Sequence, residues 1–168
     1  TDLFSALLKW HPFSAIFLPA RSKQSNRMFT LTKKTDYALI ALTHLARQDA
    51  GRVSTARAIV ERYNVPSALL VNVLKTLCQH EIVNSTRGTK GGYALAMPAD
   101  EITLATIIRA TEGPVRFVQC SGEAEHGHTP CELICSCPVM LPVKKIHNRL
   151  VDFLNQVTLD QIAFDDEY

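Results

Sequence analysis

The chain has 168 residues, of which 46% are hydrophobic and 20% are charged, and its formal net charge is +2 at neutral pH. This length fits one domain, or a small domain with an appendage, and the composition is that of a globular protein with a core. No apolar run reaches the roughly 18 residues that a membrane span requires, so we expect no membrane partner.

Charge is distributed unevenly along the chain. Residues 28–97 hold nine lysines and arginines against four acids, whereas residues 98–168 hold five against eleven. This asymmetry indicates that only the front part faces a polyanion. The five cysteines are an odd number, and the chain shows no convincing secretory signal. We therefore expect free thiols in the reducing cytoplasm rather than a disulfide framework.

The first 27 residues differ in character from the rest of the chain. Their apolar stretches are interrupted by Lys9, His11 and Pro12, they lack the basic start of a signal peptide, and Met28 comes directly after them. We expect residues 1–27 to be an extension outside the fold, with a membrane-surface or targeting segment as the alternative. The fold then consists of residues 28–97 and 98–162, with residues 163–168 as a tail.

Three helices are predicted in the front part. Thr32 is expected to cap the first, which ends near Gly51, and Ser54 to cap the second. Asn64 ends the second helix because asparagine tolerates the left-handed conformation. Ala58 and Ile59 of the second helix are expected to face inward. The third helix begins at residues 66–67, and its predicted apolar stripe consists of Leu69, Leu70, Val73, Leu74 and Leu77. Two short helices joined by a tight turn are typical of a helix-turn-helix.

A β-hairpin is predicted next, with a glycine-rich turn at residues 87–92, and after a helix-turn-helix such a hairpin forms a wing. Thr103 then opens a helix that Gly113 closes. Residues 143–157 carry a broad apolar stripe that includes Phe153 and Leu154, which we expect to be buried against a second copy of the chain. The predicted fold class is mainly α with a small β-hairpin: a winged helix-turn-helix followed by a C-terminal dimerisation helix.

Reading DNA in the major groove requires a helix that exposes short polar and basic side chains. The third helix offers such residues, and the wing adds cations flanked by glycines that let the backbone approach phosphate. The residues predicted to contact double-stranded DNA are Lys33, Arg57, Ser67, Asn72, Lys75, Thr76, Arg87, Gly88 and Lys90.

Four cysteines lie close together at Cys120, Cys131, Cys135 and Cys137. Clustered thiolates suit zinc, copper(I) or an iron–sulfur cluster. The spacing is poor for structural zinc, which usually uses closely paired cysteines. We predict Cys120, Cys131 and Cys137 as ligands of a labile cluster, with Cys135 as an alternative ligand. The fourth position is open, and His126, His128 and His147 are weaker candidates for it. Cys78 is expected to be a buried small hydrophobic residue.

Three segments resemble the Rrf-two family of bacterial transcription regulators. Residues 28–39 (MFTLTKKTDYAL) look like its start, the wing at residues 87–96 (RGTKGGYALA) is similar to its most specific stretch, and residues 153–159 (FLNQVTL) are similar to its end. The family includes the iron–sulfur regulator IscR, the nitric-oxide-sensing repressor NsrR and the iron regulator RirA. The resemblance covers residues 28–162.

The resemblance implies a homodimer of winged helices and a 2Fe-2S or 4Fe-4S cluster on the three loop cysteines. Met140 stands where IscR-type members have a histidine ligand, and Asp36 matches the carboxylate that NsrR-type members supply from the partner subunit. Glu81 stands where the family tends to have glycine. We expect a cluster-dependent regulator, a repressor, that senses nitric oxide, redox state or iron and cluster status.

Two alternatives remain. One is a zinc- or thiol-based redox regulator without a cluster. The other is a thiol enzyme, which we do not expect because no histidine is paired with a cysteine in a known catalytic pattern; we therefore predict no catalytic residues.

Overall fold

The structure is a computed structural model that describes residues 31–49, 51–116 and 136–165. These ranges contain six helices and one antiparallel hairpin, which confirms the predicted fold class. The helices are α1 (Lys33–Ala46), α2 (Ala56–Tyr63), α3 (Ser67–Gln79), α4 (Leu104–Glu112), α5 (Met140–Gln156) and α6 (Leu159–Phe164); the strands are β1 (Val83–Thr86) and β2 (Gly92–Leu95). The predicted extension at residues 1–27 and the cysteines Cys120, Cys131 and Cys135 lie outside the described residues, as do His126 and His128.

Helix α1 is the centre of the fold, because it contacts α2, α3, α4, α6 and β2. Its apolar side chains enter two cores. One core joins Ala38 and Leu42 to Val73 and Leu77 of α3 and continues to α4 and α6. The other joins Ala41 to the helix-turn-helix through Ile59, Val65, Leu70 and Leu74. The orientation of α3 is therefore fixed mainly by packing against α1.

The helix-turn-helix forms as the sequence predicts, except at the start of α2. Thr55, not Ser54, caps α2, and its side chain accepts a hydrogen bond from the Ala58 backbone N–H at 3.1 Å. The prediction that Ala58 faces inward is also wrong, because only Ile59 is buried in this helix. Asn64 ends α2 with φ of 50°, in the left-handed conformation that was predicted.

Ser54 instead connects α1 with the wing. Its backbone N–H and carbonyl pair with the carbonyl and N–H of Tyr93 on β2, both at 2.8 Å. Its hydroxyl lies 2.8 Å from Nε2 of the buried His44, and burial, together with the charge of Arg62, lowers the pKa of that histidine. A Cβ on Gly92 would lie 2.7 Å from the Ser54 carbonyl oxygen, so glycine is required for this close approach.

The C-terminus of α3 ends in a Schellman motif. The backbone N–H of Ile82 donates to the Leu77 carbonyl at 3.0 Å, and that of Glu81 donates to Cys78 at 3.1 Å. Ile82 and Leu77 also share the main core. Glu81 occupies the left-handed position of the motif with φ of 57°, where glycine is the usual residue.

The back part consists of α4, α5 and α6. Thr103 caps α4 through a hydrogen bond from the Thr106 N–H, as predicted, and Gly113 ends the helix. Helix α5 begins at Met140, earlier than the predicted residue 143, and packs on α4 through Leu150 and Leu154. Helix α6 was not predicted; its six residues are too few to show a clear helical periodicity.

Candidate functional site

The solvent-facing side of α3 carries polar side chains that were predicted to contact DNA. Ser67, Asn72 and Lys75 are exposed. Thr76 is half-buried, and its hydroxyl donates to the Asn72 carbonyl at 3.1 Å, so it is engaged within the helix. This side of α3 is polar and basic because the opposite side packs in the two cores.

One residue of the predicted apolar stripe of α3 does not lie in the core. Leu70, Val73, Leu74 and Leu77 are buried, whereas Leu69 is 48% exposed. The prediction for Leu69 was wrong because this residue lies at the edge of the apolar stripe, where helical spacing does not distinguish core from surface.

Leu69 lines a cavity of about 260 Å³ between the start of α1 and the start of α3. The other lining residues are Lys33, Lys34, Tyr37, Asn72 and Val73. The structure thus brings Lys33 and Asn72, which are far apart in sequence, to one site. Tyr37 and Val73 make its floor apolar, and the two lysines make it positively charged.

The turn between β1 and β2 presents the predicted cations of the wing. Arg87, Gly88 and Lys90 are all exposed. Gly88 has φ of 113°, which favours glycine, and its carbonyl accepts the Gly91 N–H at 2.9 Å to close the turn. Two cations on a tight exposed turn are suited to contacting phosphates.

Arg57 lies exposed on α2 and forms an ion pair with Glu61 at 2.7 Å. The hydrogen bond from Arg57 to Glu61 and the charge of that carboxylate raise the pKa of Arg57. Because both side chains are exposed, the pair is weak and a phosphate can replace the carboxylate.

A polar network joins the first turn of α1 to the end of α4. Glu112 Oε1 accepts the Thr32 backbone N–H at 2.8 Å and the Thr35 hydroxyl at 2.5 Å. The Thr35 and Thr111 hydroxyls lie 2.8 Å apart, and both residues are buried. Sequence analysis missed this network because its partners lie 76 to 80 positions apart.

Of the predicted metal ligands, the structure describes Cys137 and Asp36. Cys137 is half-buried, two positions before the N-cap of α5, and Asp36 is exposed in the first turn of α1. Within the described ranges, no three His, Cys, Asp or Glu side chains are placed to hold a metal ion. His147 on α5 has a buried Nδ1 with no hydrogen-bond partner among these residues.

Cys78 is half-buried rather than fully buried as predicted. Burial raises the pKa of its thiol, and a hydrogen bond with Ser85 partly opposes that effect. Burial therefore disfavours the reactive thiolate form of Cys78, which packs against the main core.

The family model Rrf2, described as an iron-dependent transcriptional regulator, matches residues 31–165. The chain belongs to the Rrf2 family. This Rrf2 protein is 33% identical over 136 residues to slr0846 of Synechocystis, whose name places it with the HTH-type transcriptional regulators; the match covers 80% of this chain and 88% of the relative. Membership makes the chain a DNA-binding transcriptional regulator and not an enzyme.

Two solved structures share the fold of this Rrf2 protein. CymR, the global cysteine regulator of B. subtilis, has a TM-score of 0.65 and 25% identity, covering 83% of this chain and all of that chain. IscR of T. potens has a TM-score of 0.62 and 24% identity, covering 82% of this chain and 88% of that chain. Within the part of the Rrf2 protein that the structure describes, no helix is long and apolar enough to cross a membrane.

Proposed function

We propose that this protein is a homodimeric transcription regulator that reads double-stranded operator DNA with α3 and the wing, under the control of an iron–sulfur cluster. The observation that carries the DNA-reading part is the exposed polar side of α3, next to a wing turn with two exposed cations. In this arrangement Ser67, Asn72, Lys75 and Thr76 face bases. Arg87, Gly88 and Lys90 of the wing contact phosphates or the minor groove, and Lys33 and Arg57 contact phosphates.

The DNA contacts are tested by measuring affinity for a selected duplex at several salt concentrations. Arg87→Ala is expected to weaken binding for all sequences and to lower the salt slope by about 0.9, as expected for one lost phosphate contact. Asn72→Ala is expected to weaken binding with little change in slope and to relax sequence preference. Arg52→Ala serves as a control, because Arg52 is an exposed cation of the loop after α1 and belongs to neither α3 nor the wing turn. Unchanged slopes for Arg87→Ala would contradict the assignment.

The homodimer is supported by the apolar side chains that α5 leaves exposed. Only Leu154 of α5 is buried, whereas Ile146 is 51% and Phe153 is 58% exposed. Val139, the N-cap of α5, is 56% exposed and stands seven positions before Ile146, so it extends this surface towards the start of the helix. Exposed apolar surface of this kind on a long helix marks a protein–protein contact, and a second copy of α5 offers a matching apolar face. A symmetric dimer places two α3 helices on half-sites about 34 Å apart.

Analytical ultracentrifugation tests the dimer. Phe153→Lys is expected to sediment as a monomer, because a charge would lie in the contact between the two α5 helices. Asn155→Lys, an exposed substitution on the same helix, is the matched control and is expected to remain dimeric. A dimeric Phe153→Lys variant would place the interface elsewhere.

For the cluster, we propose Cys120, Cys131 and Cys137 as ligands, with Asp36 from the partner subunit as the fourth and Cys135 as an alternative. The two ligands that the structure describes fit this role. The Cys137 thiol is free, and the exposed Asp36 carboxylate has no hydrogen-bond or ion-pair partner within the described part of the chain. When bound, the cluster would supply a centre that is sensitive to redox state, nitric oxide or iron supply.

Two connections carry a restraint from this site to α3. Asp36 lies on α1, which packs directly on α3 through the main core. Glu112 at the end of α4 comes shortly before the segment with the first cysteines, and it holds the start of α1 through Thr32 and Thr35. Release of either restraint would let α1, and α3 with it, change position in the dimer. A shift that breaks one base contact costs about 1–3 kcal/mol.

Oxygen-protected purification, an absorption spectrum, and iron and sulfide assays test the cluster. Wild type is expected to absorb visible light, and Cys137→Ala to lose that absorption. Cys78→Ala is the matched thiol control and is expected to keep the spectrum, because Cys78 lies on α3 and packs against the main core. Colourless, iron-free wild type would remove the cluster from the proposal. An unchanged Cys137→Ala spectrum would remove Cys137 from the ligand set in favour of Cys135.

The second candidate function is a zinc- or thiol-based redox regulator that uses the same cysteines. The likeness to CymR, a regulator of the same fold that does not use a cluster, supports it. Zinc gives a colourless protein with metal detectable by elemental analysis, whereas a thiol switch gives a metal-free protein whose DNA affinity changes with a thiol oxidant.

A further inference from the structure

We propose that Leu69 reads the C5-methyl group of a thymine in the major groove, beside the base that Asn72 contacts. This inference rests on the proposed role of α3 in DNA reading and adds a specificity-determining residue to it. If Leu69 has this role, the operator contains an A·T base pair at the position that Leu69 contacts.

The exposure of Leu69 is the first observation. Between residues 51 and 116, it is the one exposed large hydrophobic side chain. The other such side chains lie at Leu31, at Phe164 of α6, and on or beside α5, the helix proposed to form the dimer. Helix α3 has a complete core side without Leu69, because Leu70, Val73, Leu74 and Leu77 fill it. Folding therefore gives no reason for a leucine at this position.

The surroundings of Leu69 are the second observation. The cavity of about 260 Å³ beside it has an apolar floor at Tyr37 and Val73, and its lining includes Lys33 and Lys34 but no acid. Such a site matches a ligand that presents an apolar group next to negative charge. The thymine methyl in the major groove, flanked by backbone phosphates, combines both features.

The spacing of Leu69 and Asn72 is the third observation. Residues three apart on a helix are surface neighbours, with Cβ atoms about 5–6 Å apart. Stacked base pairs are about 3.4 Å apart, so the two side chains reach the same or adjacent pairs. Asparagine pairs with the N6 and N7 edge of adenine, and apolar side chains contact the thymine methyl. Together they select adenine and thymine at one step.

Uracil scanning tests this assignment, because uracil differs from thymine only by the methyl group. Duplexes are first selected from a random-sequence library with the wild-type protein, and each thymine is then replaced singly by uracil. One replacement per half-site is expected to weaken wild-type binding about fourfold, the effect of removing one buried methyl-sized group. The other replacements are expected to change affinity less than twofold.

The Leu69→Ala variant connects the effect to the residue. It is expected to bind the thymine duplex more weakly than wild type and to bind the thymine and uracil duplexes equally. Asn72→Ala is the matched control on the same helix, and it is expected to bind more weakly but to keep the preference for thymine. Circular dichroism checks that both variants fold, which their exposed positions favour.

Three results would overturn the inference. The first is wild type that binds all uracil duplexes as it binds the parent, and the second is Leu69→Ala that keeps the full preference for thymine. In both cases selective DNA binding stands and only the role of Leu69 fails. The third is wild type that enriches no sequence from the library, which overturns DNA reading by α3 as well.

Discussion

Replacing Glu81 by glycine is expected to stabilise the protein. Glu81 occupies the left-handed position of the Schellman motif that ends α3, with φ of 57°. A residue with a Cβ destabilises the folded state by about 1–2 kcal/mol in this conformation, whereas glycine does not. Part of this benefit is offset, because the extra conformational entropy of glycine stabilises the unfolded chain by about 0.5–1 kcal/mol. The exposed Glu81 side chain makes no hydrogen bond or ion pair within the described residues, so its removal loses little. The net expectation is a gain of about 1 kcal/mol.

Asn64 provides the matched control, because it adopts nearly the same backbone conformation with φ of 50°. Asparagine tolerates the left-handed region through local hydrogen bonding of its side chain. Asn64→Gly should therefore change stability by less than about 0.5 kcal/mol by the same reasoning. Glu81→Ala keeps the Cβ and should gain nothing.

Thermal unfolding at one fixed protein concentration measures these differences, since the melting temperature of the proposed dimer would depend on concentration. A gain of 1 kcal/mol corresponds to about 2–4 °C for a chain of this size. Glu81→Gly should also bind DNA as wild type does, because the Schellman hydrogen bonds of Glu81 and Ile82 are backbone bonds. Equal shifts for Glu81→Gly and Asn64→Gly, or a loss of stability in Glu81→Gly, would refute the reasoning.

Three further predictions concern the network around α1. Burial lowers the pKa of His44 in the folded state, so the unfolded chain binds the His44 proton more readily. The free energy of unfolding should therefore fall as the pH drops below about 6.5. His44→Gln should reduce this pH dependence in urea titrations. Gly92→Ala should separate β2 from Ser54, which lowers stability and weakens DNA binding. Wild-type stability and DNA affinity in this variant would show that the close approach is unimportant. Glu112→Ala should lower the free energy of unfolding by about 1 kcal/mol, because the Thr32 backbone N–H loses its hydrogen-bond acceptor. A urea midpoint equal to that of wild type would show that this hydrogen bond contributes nothing to stability.

The sequence predicted those elements whose signals are local. Thr103 and Asn64 were assigned correctly because capping and left-handed termination depend on residue type at one position. The wing turn was likewise visible in its glycines. The sequence also predicted correctly that Ser67, Asn72 and Lys75 lie on the exposed side of α3, since burial of the opposite side follows from helical spacing.

The errors came from interactions that link distant segments. Ser54 was taken for a helix cap because serine is a common cap, but backbone pairing with Tyr93 holds it in a bridge. Leu69 was placed in the core because its chemistry is apolar, and only the three-dimensional position of α1 shows that it lines an open cavity. The Glu112 network joins residues that no periodicity relates.

The bridge between Ser54 and Tyr93 has a consequence for how the protein responds to its signal. It joins the wing to the entrance of α2 by main-chain hydrogen bonds, and Tyr93 packs in both cores of the DNA-binding part. These contacts hold the wing against the cores that contain α3, so we expect the wing and α3 to move together. In the proposed dimer, a signal would then reorient α3 and the wing together, so that contacts in the major groove and at the wing are lost together.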